Sequence, residues 1–140
     1  MEKATESSIE TGETEGEGYM DLSFSRAPKK NHDALAQLGK RYEQWLKQHG
    51  VSSKMYYLNN TTSNEVPPEG LENIAKTLSL REEDEELWVA MQFYKDKAHA
   101  DQVRSNMTQD QGVGAIMKEF DSLVSQGKNL ITGGFSRLTT

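Results

Sequence analysis

The chain predicts a small α+β domain with one sheet and one helical face. Three observations carry that expectation. Apolar residues alternate with polar ones in short runs, the last of them closing on Leu130-Ile131-Thr132-Gly133-Gly134-Phe135. Between the first and second runs, and again between the third and fourth, the apolar spacing changes to three and four. The middle connection carries turn chemistry instead. The order is therefore strand, helix, strand, strand, helix, strand, which sets a fold and names no reaction.

The first strand spans about Tyr19 to Arg26. Met20, Leu22 and Phe24 share one face, and Asp21, Ser23 and Ser25 the other. Pro28 ends it. Asn31 is placed to cap a helix bearing Leu35, Leu38, Tyr42, Trp45 and Leu46 at helical spacing. Gly50 follows Lys47-Gln48-His49 as a C′ glycine. The second strand is about Ser53 to Leu58. Residues 59 to 84 are less regular: Asn59-Asn60 and Val66-Pro67-Pro68-Glu69-Gly70 are turn chemistry, and Leu71 to Leu80 fits a short helix or an extended arm. Glu82 to Glu86 reads as an acidic turn.

The third strand, Leu87 to Tyr94, carries Leu87, Val89, Met91 and Phe93 on one face and Trp88, Ala90, Gln92 and Tyr94 on the other. Apolar character on both faces marks a central strand covered on both sides. Asp96 or Lys97 opens the next helix, with Ala100, Val103 and Met107 three and four apart. A further short helix runs from Gln111 to Phe120, and the last strand from about Asn129 to Leu138.

Composition narrows the function classes. The 140 residues suffice for one domain, taken as 18–140. Cysteine is absent, so disulfides, thiolate nucleophiles and Cys-based zinc sites are excluded. No apolar run approaches the roughly 20 residues of a membrane span, and no secretory leader is present, so a cytoplasmic protein is expected. Of the net charge of −6, −5 lies in residues 1 to 18, leaving the body nearly neutral. Residues 1–17, rich in Glu, Thr, Ser and Gly, are expected to be a disordered acidic tail, either a solubilising leader or a docking arm. Basic residues do not cluster, which argues against nucleic acid as a partner.

The β-α-β-β-α-β order is the split βαβ, or ferredoxin-like, arrangement: a four-stranded antiparallel sheet with helices on one face. Its other face needs a cover. The strand-three face bearing Trp88 and Tyr94 is expected to be that uncovered face, buried by a two-fold homodimer that stacks sheet on sheet.

The segment Phe93-Tyr94-Lys95-Asp96-Lys97-Ala98-His99-Ala100-Asp101-Gln102-Val103 resembles the YbaA-like family, a domain of unknown function. Pro28-Lys29-Lys30-Asn31, Phe120-Asp121 and Gly133-Gly134-Phe135 are similar as well, so the resemblance spans roughly residues 19 to 136. It implies a dimeric α/β barrel and carries no established activity.

Chemistry-bearing residues are few. His99, early on the helix after strand three, is the candidate acid/base or cofactor ligand, set against a structural, hydrogen-bonded role. Haem-degrading monooxygenases of the same barrel fold place a Trp on strand three and a His on the next helix, and Trp88 with His99 is similar; their strand-one Asn is replaced here by Asp21 or Ser23. A small-molecule site is accordingly expected to be bounded by Asp21 or Ser23, Trp88, Tyr94 and His99. His32 and His49 flank the first helix about 25 Å apart, and three dispersed histidines point away from a metal site. Gly112-Val113-Gly114 and Gly133-Gly134 lack phosphate-loop spacing. Two functions follow: a non-catalytic ligand-binding or stress-type protein, or a cofactor-free or haem-using oxygenase acting on a small aromatic or apolar molecule. The sequence names no cofactor.

Overall fold

Four strands carry the architecture. In chain order the elements are β1 (Tyr19–Pro28), a 3-10 turn (Lys29–Asn31), α1 (His32–Gln48), β2 (Ser52–Tyr57), a short α2 (Ile74–Thr77), β3 (Glu85–Tyr94), α3 (Lys97–Gln109), α4 (Gln111–Leu123) and β4 (Leu130–Ser136). The computed structural model describes residues 17–58, 70, 72–81, 83–125 and 130–139. The acidic segment expected to be disordered lies outside the described residues except for Glu17, whose carboxylate is 3.6 Å from Arg137. Asn59-Asn60 and the proline pair also lie outside them.

The sheet runs β2-β3-β1-β4 with every neighbouring pair antiparallel, the ferredoxin-like order. Register fixes which residues share a face. Leu22 is opposite Met91 on β3 and Gly133 on β4, while Ser23 is opposite Ala90 and Thr132. Because side chains alternate, each of these rows belongs to one side of the sheet.

The helices cover the side carrying Ser23, Ala90 and Thr132. α1 presents Leu35, Leu38 and Leu46 inward, all buried, at the spacing the sequence shows. Burying each leucine contributes roughly 1.5–3 kcal/mol. Gly50 ends this helix with φ +76°, a left-handed conformation that glycine adopts without steric cost. Asn31 makes no capping hydrogen bond to α1; its Nδ2 instead donates to the Leu123 carbonyl at 2.8 Å, tying the start of α1 to the end of α4. Asp96 caps α3 through the His99 N–H, and Asp110 caps α4 through the Val113 N–H.

Two core clusters result. Leu46, Val51, Tyr94, Ala100 and Val103 close one end, and Ala27, Leu35, Trp88 and Val124 the other.

Two expectations are corrected here, and one open alternative is decided. The Trp88-Ala90-Gln92-Tyr94 face of β3 lies under the helices, not on the uncovered side, because Trp88 and Tyr94 are core residues of the two clusters. The uncovered side carries Val89, Met91 and Phe93 with Met20, Leu22 and Phe24. Both faces of this strand are apolar, so alternation alone does not say which one the helices take. Glu85 and Glu86 belong to β3 and are buried, not part of an acidic turn. Of the two readings for 71–80 the short helix holds: Ile74–Thr77 forms α2, capped by Asn73 Oδ1 accepting from Ala75 N–H at 2.9 Å. Beyond α2 the chain reaches a corner of the uncovered face, where Arg26 Nη1 donates to the Ser79 carbonyl.

Candidate functional site

Between the two core clusters, the sheet and the helices form a half-open cavity of about 550 Å³, with the exposed Lys40, Glu43 and Thr132 among its lining. Its floor is a row of small side chains that β1, β2, β3 and β4 turn toward the helices: Ser23, Ser25, Ser53, Ala90 and Thr132, with Gln92 beside them. Its roof is Leu35, Leu38 and Tyr42 from α1 and Ile116, Met117 and Phe120 from α4. The cavity follows from residue size. Large roof residues stand over a floor too small to meet them, and protein interiors are otherwise close-packed.

One wall is aromatic and polar together. His32, Tyr57 and Trp88 line it. The His32 ring meets Tyr57 edge-on, with centroids 4.7 Å apart and planes at 82°, and Trp88 at 5.2 Å. Behind them Glu86 is buried, and its Oε1 is the meeting point of two groups. Trp88 Nε1 donates to it at 2.9 Å, and His32 Nδ1 lies 2.7 Å away. Local structure explains the convergence. Glu86 and Trp88 are two apart on β3 and so share a face. Pro28 and the 3-10 turn bring the first residue of α1 back over that face.

Outside the cavity lining, on the strand position opposite Gln92, Asp21 accepts at both carboxylate oxygens from Arg104 Nη2, at 2.7 and 2.6 Å. Burial opposes the charge on Arg104, but the hydrogen bond and charge of Asp21 outweigh it and hold the guanidinium above its ordinary pKa. Burial, reinforced by the negative charge of Asp21, pushes the Tyr42 phenol up to about 12. Burial first, then the neighbouring Tyr42 phenol and Asp21, raise the Tyr94 phenol as well.

The expected site residues divide. Ser23 and Trp88 are on the cavity wall. Asp21, Tyr94 and His99 are not among its lining residues: Asp21 is held by Arg104, Tyr94 is in the core cluster beyond the cavity, and His99 is committed elsewhere. His99 Nδ1 accepts from the Lys95 N–H at 3.0 Å, so Nε2 carries the proton that it donates to the His49 carbonyl at 2.9 Å. Both ring nitrogens staple the β3–α3 turn to the end of α1.

Sequence reasoning missed His32, Glu86 and Tyr57. A carboxylate two positions before a tryptophan in an apolar strand was the available signal, since a glutamate on that face must find donors. Nothing in the local sequence pairs His32 with it, because 54 positions separate them.

Among the described residues, no cluster of three or more His, Asp or Glu could hold a metal ion, and no helix is long and apolar enough to cross a membrane.

A family model described as a protein of unknown function, DUF1428, matches residues 18–122, three quarters of the chain. No curated protein matches the sequence.

Proposed function

We propose, for a chain that belongs to the DUF1428 family of proteins of unknown function, that the cavity between sheet and helices binds a small, mainly apolar molecule and that binding, not catalysis, is its task. The observation that carries this is the cavity itself. Its volume of about 550 Å³ lies within the roughly 300–1,000 Å³ of small-molecule sites, and its wall is apolar and aromatic with a few converging polar groups. Filling such a space with side chains would require only larger residues at Ser23, Ser25 or Ala90.

The oxygenase alternative loses His99, the histidine it named. Both nitrogens of His99 are engaged by backbone groups, so haem has no ligand there. Trp88 remains as a cavity wall, which plain binding explains equally well.

The uncovered sheet face is proposed as the contact with a second copy of the chain. It carries Met20, Leu22, Phe24, Val89, Met91 and Phe93, extended by Ile131 and Phe135, each about half exposed. A two-fold contact sets the same patch against itself. Its centre is apolar, with Lys54 of β2 at one edge and Arg26 at a corner, so the juxtaposition need not bring like charges to the middle of the contact. An apolar patch of this extent is otherwise a liability in water. A cysteine-free chain without a spanning helix among its described residues fits the cytoplasm, and we place it there.

The test uses N-phenyl-1-naphthylamine, which fluoresces on entering an apolar site. Saturable binding is expected, lost in Ala90→Leu and kept in Met91→Glu. Binding lost in Met91→Glu and kept in Ala90→Leu would move the site to the sheet's uncovered face and refute the cavity reading.

A further inference from the structure

We infer that the cavity's ligand is an aromatic molecule bearing a hydroxyl or N–H donor, and that His32 Nε2 accepts its hydrogen bond. This rests on the cavity being a ligand site; it adds the chemistry that the site selects.

The argument begins at Glu86. Its Oε1 receives the Trp88 indole N–H at 2.9 Å, and an ionised carboxylate only accepts. His32 Nδ1, at 2.7 Å from the same oxygen, must therefore be the protonated nitrogen of the ring. In the neutral imidazole, Nε2 then carries the lone pair. No hydrogen bond among the described residues reaches Nε2, and the ring lines the cavity. His99 shows the contrast. There Nδ1 accepts and Nε2 donates, and both positions are filled by backbone.

Lys40, which only donates, and Glu43, which only accepts, are exposed on α1; most other polar groups of the wall are ambivalent. The hydroxyls of Ser23, Ser25, Ser53 and Thr132 rotate to donate or accept, and the Gln92 amide does both. His32 is different because Glu86 sets its tautomer. A ligand that brings a donor to that end gains a hydrogen bond, and one that brings only an ether or carbonyl oxygen meets a lone pair. The neighbouring Tyr57 and Trp88 rings, 5.6 Å apart, supply the faces and edges against which an aromatic frame packs.

The test compares 2-naphthol, 2-methoxynaphthalene and naphthalene by isothermal titration calorimetry on the full chain. The naphthol is expected to bind about 3- to 10-fold more tightly than its methyl ether, the net worth of one hydrogen bond. His32→Phe is expected to close that gap while the ether and the hydrocarbon still bind. Equal binding of naphthol and ether by the parent protein overturns the inference and leaves the cavity reading standing. Failure of all three probes to bind removes both. Nitrogen-15 NMR of the parent protein's imidazoles, at mildly alkaline pH, is independent of any variant's folding. The Nδ1–H tautomer at His32 and the Nε2–H tautomer at His99 are expected, and an Nε2–H tautomer at His32 overturns the inference.

Discussion

The two faces of one sheet are built on opposite rules. The side under the helices carries Ser23, Ser25, Ala90 and Thr132 at its centre, and a cavity of about 550 Å³ remains above them. The other side carries Met20, Leu22, Phe24, Val89, Met91 and Phe93, with no described helix over its centre. A domain that only needed to fold would do the reverse, placing its bulk under the helices and its small polar residues in water. The difference teaches that bulk and helix cover are uncoupled in this sheet: the covered face leaves room, and the uncovered face presents bulk.

The largest expected effect breaks the uncovered face. Leu22→Glu places a carboxylate between Met91 and Gly133 at the centre of the proposed contact, where an unpaired buried charge costs several kcal/mol. Light scattering should give twice 15.8 kDa for the parent protein and 15.8 kDa for the variant. A parent that stays at the smaller mass at tens of micromolar would show that the bulky face has no second copy to meet.

A pair of alanines sharpens the covered side. Ala100 is fully buried in a closed cluster, so Ala100→Leu should cost about 1–3 kcal/mol by overpacking. Ala90 faces the cavity, so Ala90→Leu should cost well under that while abolishing probe binding. Urea denaturation measures both. Equal costs would mean that the space over Ala90 closes in solution.

The smallest effect concerns two adjacent glutamates. Glu86 faces the cavity wall, whereas Glu85 accepts from Ser125 Oγ and the Arg81 N–H. Burial works against the charge on Glu85, but these hydrogen bonds and the charges of Arg81 and Arg26 outweigh it and hold its pKa below the ordinary 4.5. A carboxyl with a depressed folded value stabilises the fold above its unfolded pKa and loses that contribution as pH falls through the folded one. Stability should therefore decline as pH drops below about 4.5, and Glu85→Gln should flatten the decline. An unchanged acid slope in the variant would assign it to other carboxylates, Asp110 first, whose pKa is lowered by the Trp45 indole N–H and the Val113 N–H.

The strand and helix order was legible because period-two and period-3.6 patterns are local properties of the chain, and Pro28 and Gly50 mark boundaries by their own backbone limits. The face assignment of β3 was not, since Leu87 to Tyr94 is apolar on both parities and only its neighbours decide which side a helix takes. Ser23 and Trp88 reached the cavity wall by strand parity. His32 and Glu86 could not be paired from sequence, because their contact depends on how the turn after Pro28 lays α1 across β3. His99 misled for the complementary reason: its place beside β3 was right, but the backbone groups that occupy it come from Lys95 and from the far end of α1.

The strand order also sets a timetable. β1 is flanked by β3 and β4, and Tyr19 pairs with Tyr94 on one side and Ser136 on the other. On the ribosome β1 therefore emerges long before either neighbour exists. Met20, Leu22 and Phe24 wait unpaired while β2 and α1, which can meet early, are made. Distant pairings of this kind slow folding and lengthen the exposure of sticky segments. The birth order of this chain thus makes its central strand the natural client of whatever holds nascent polypeptides apart, until β4 arrives to close the second ladder.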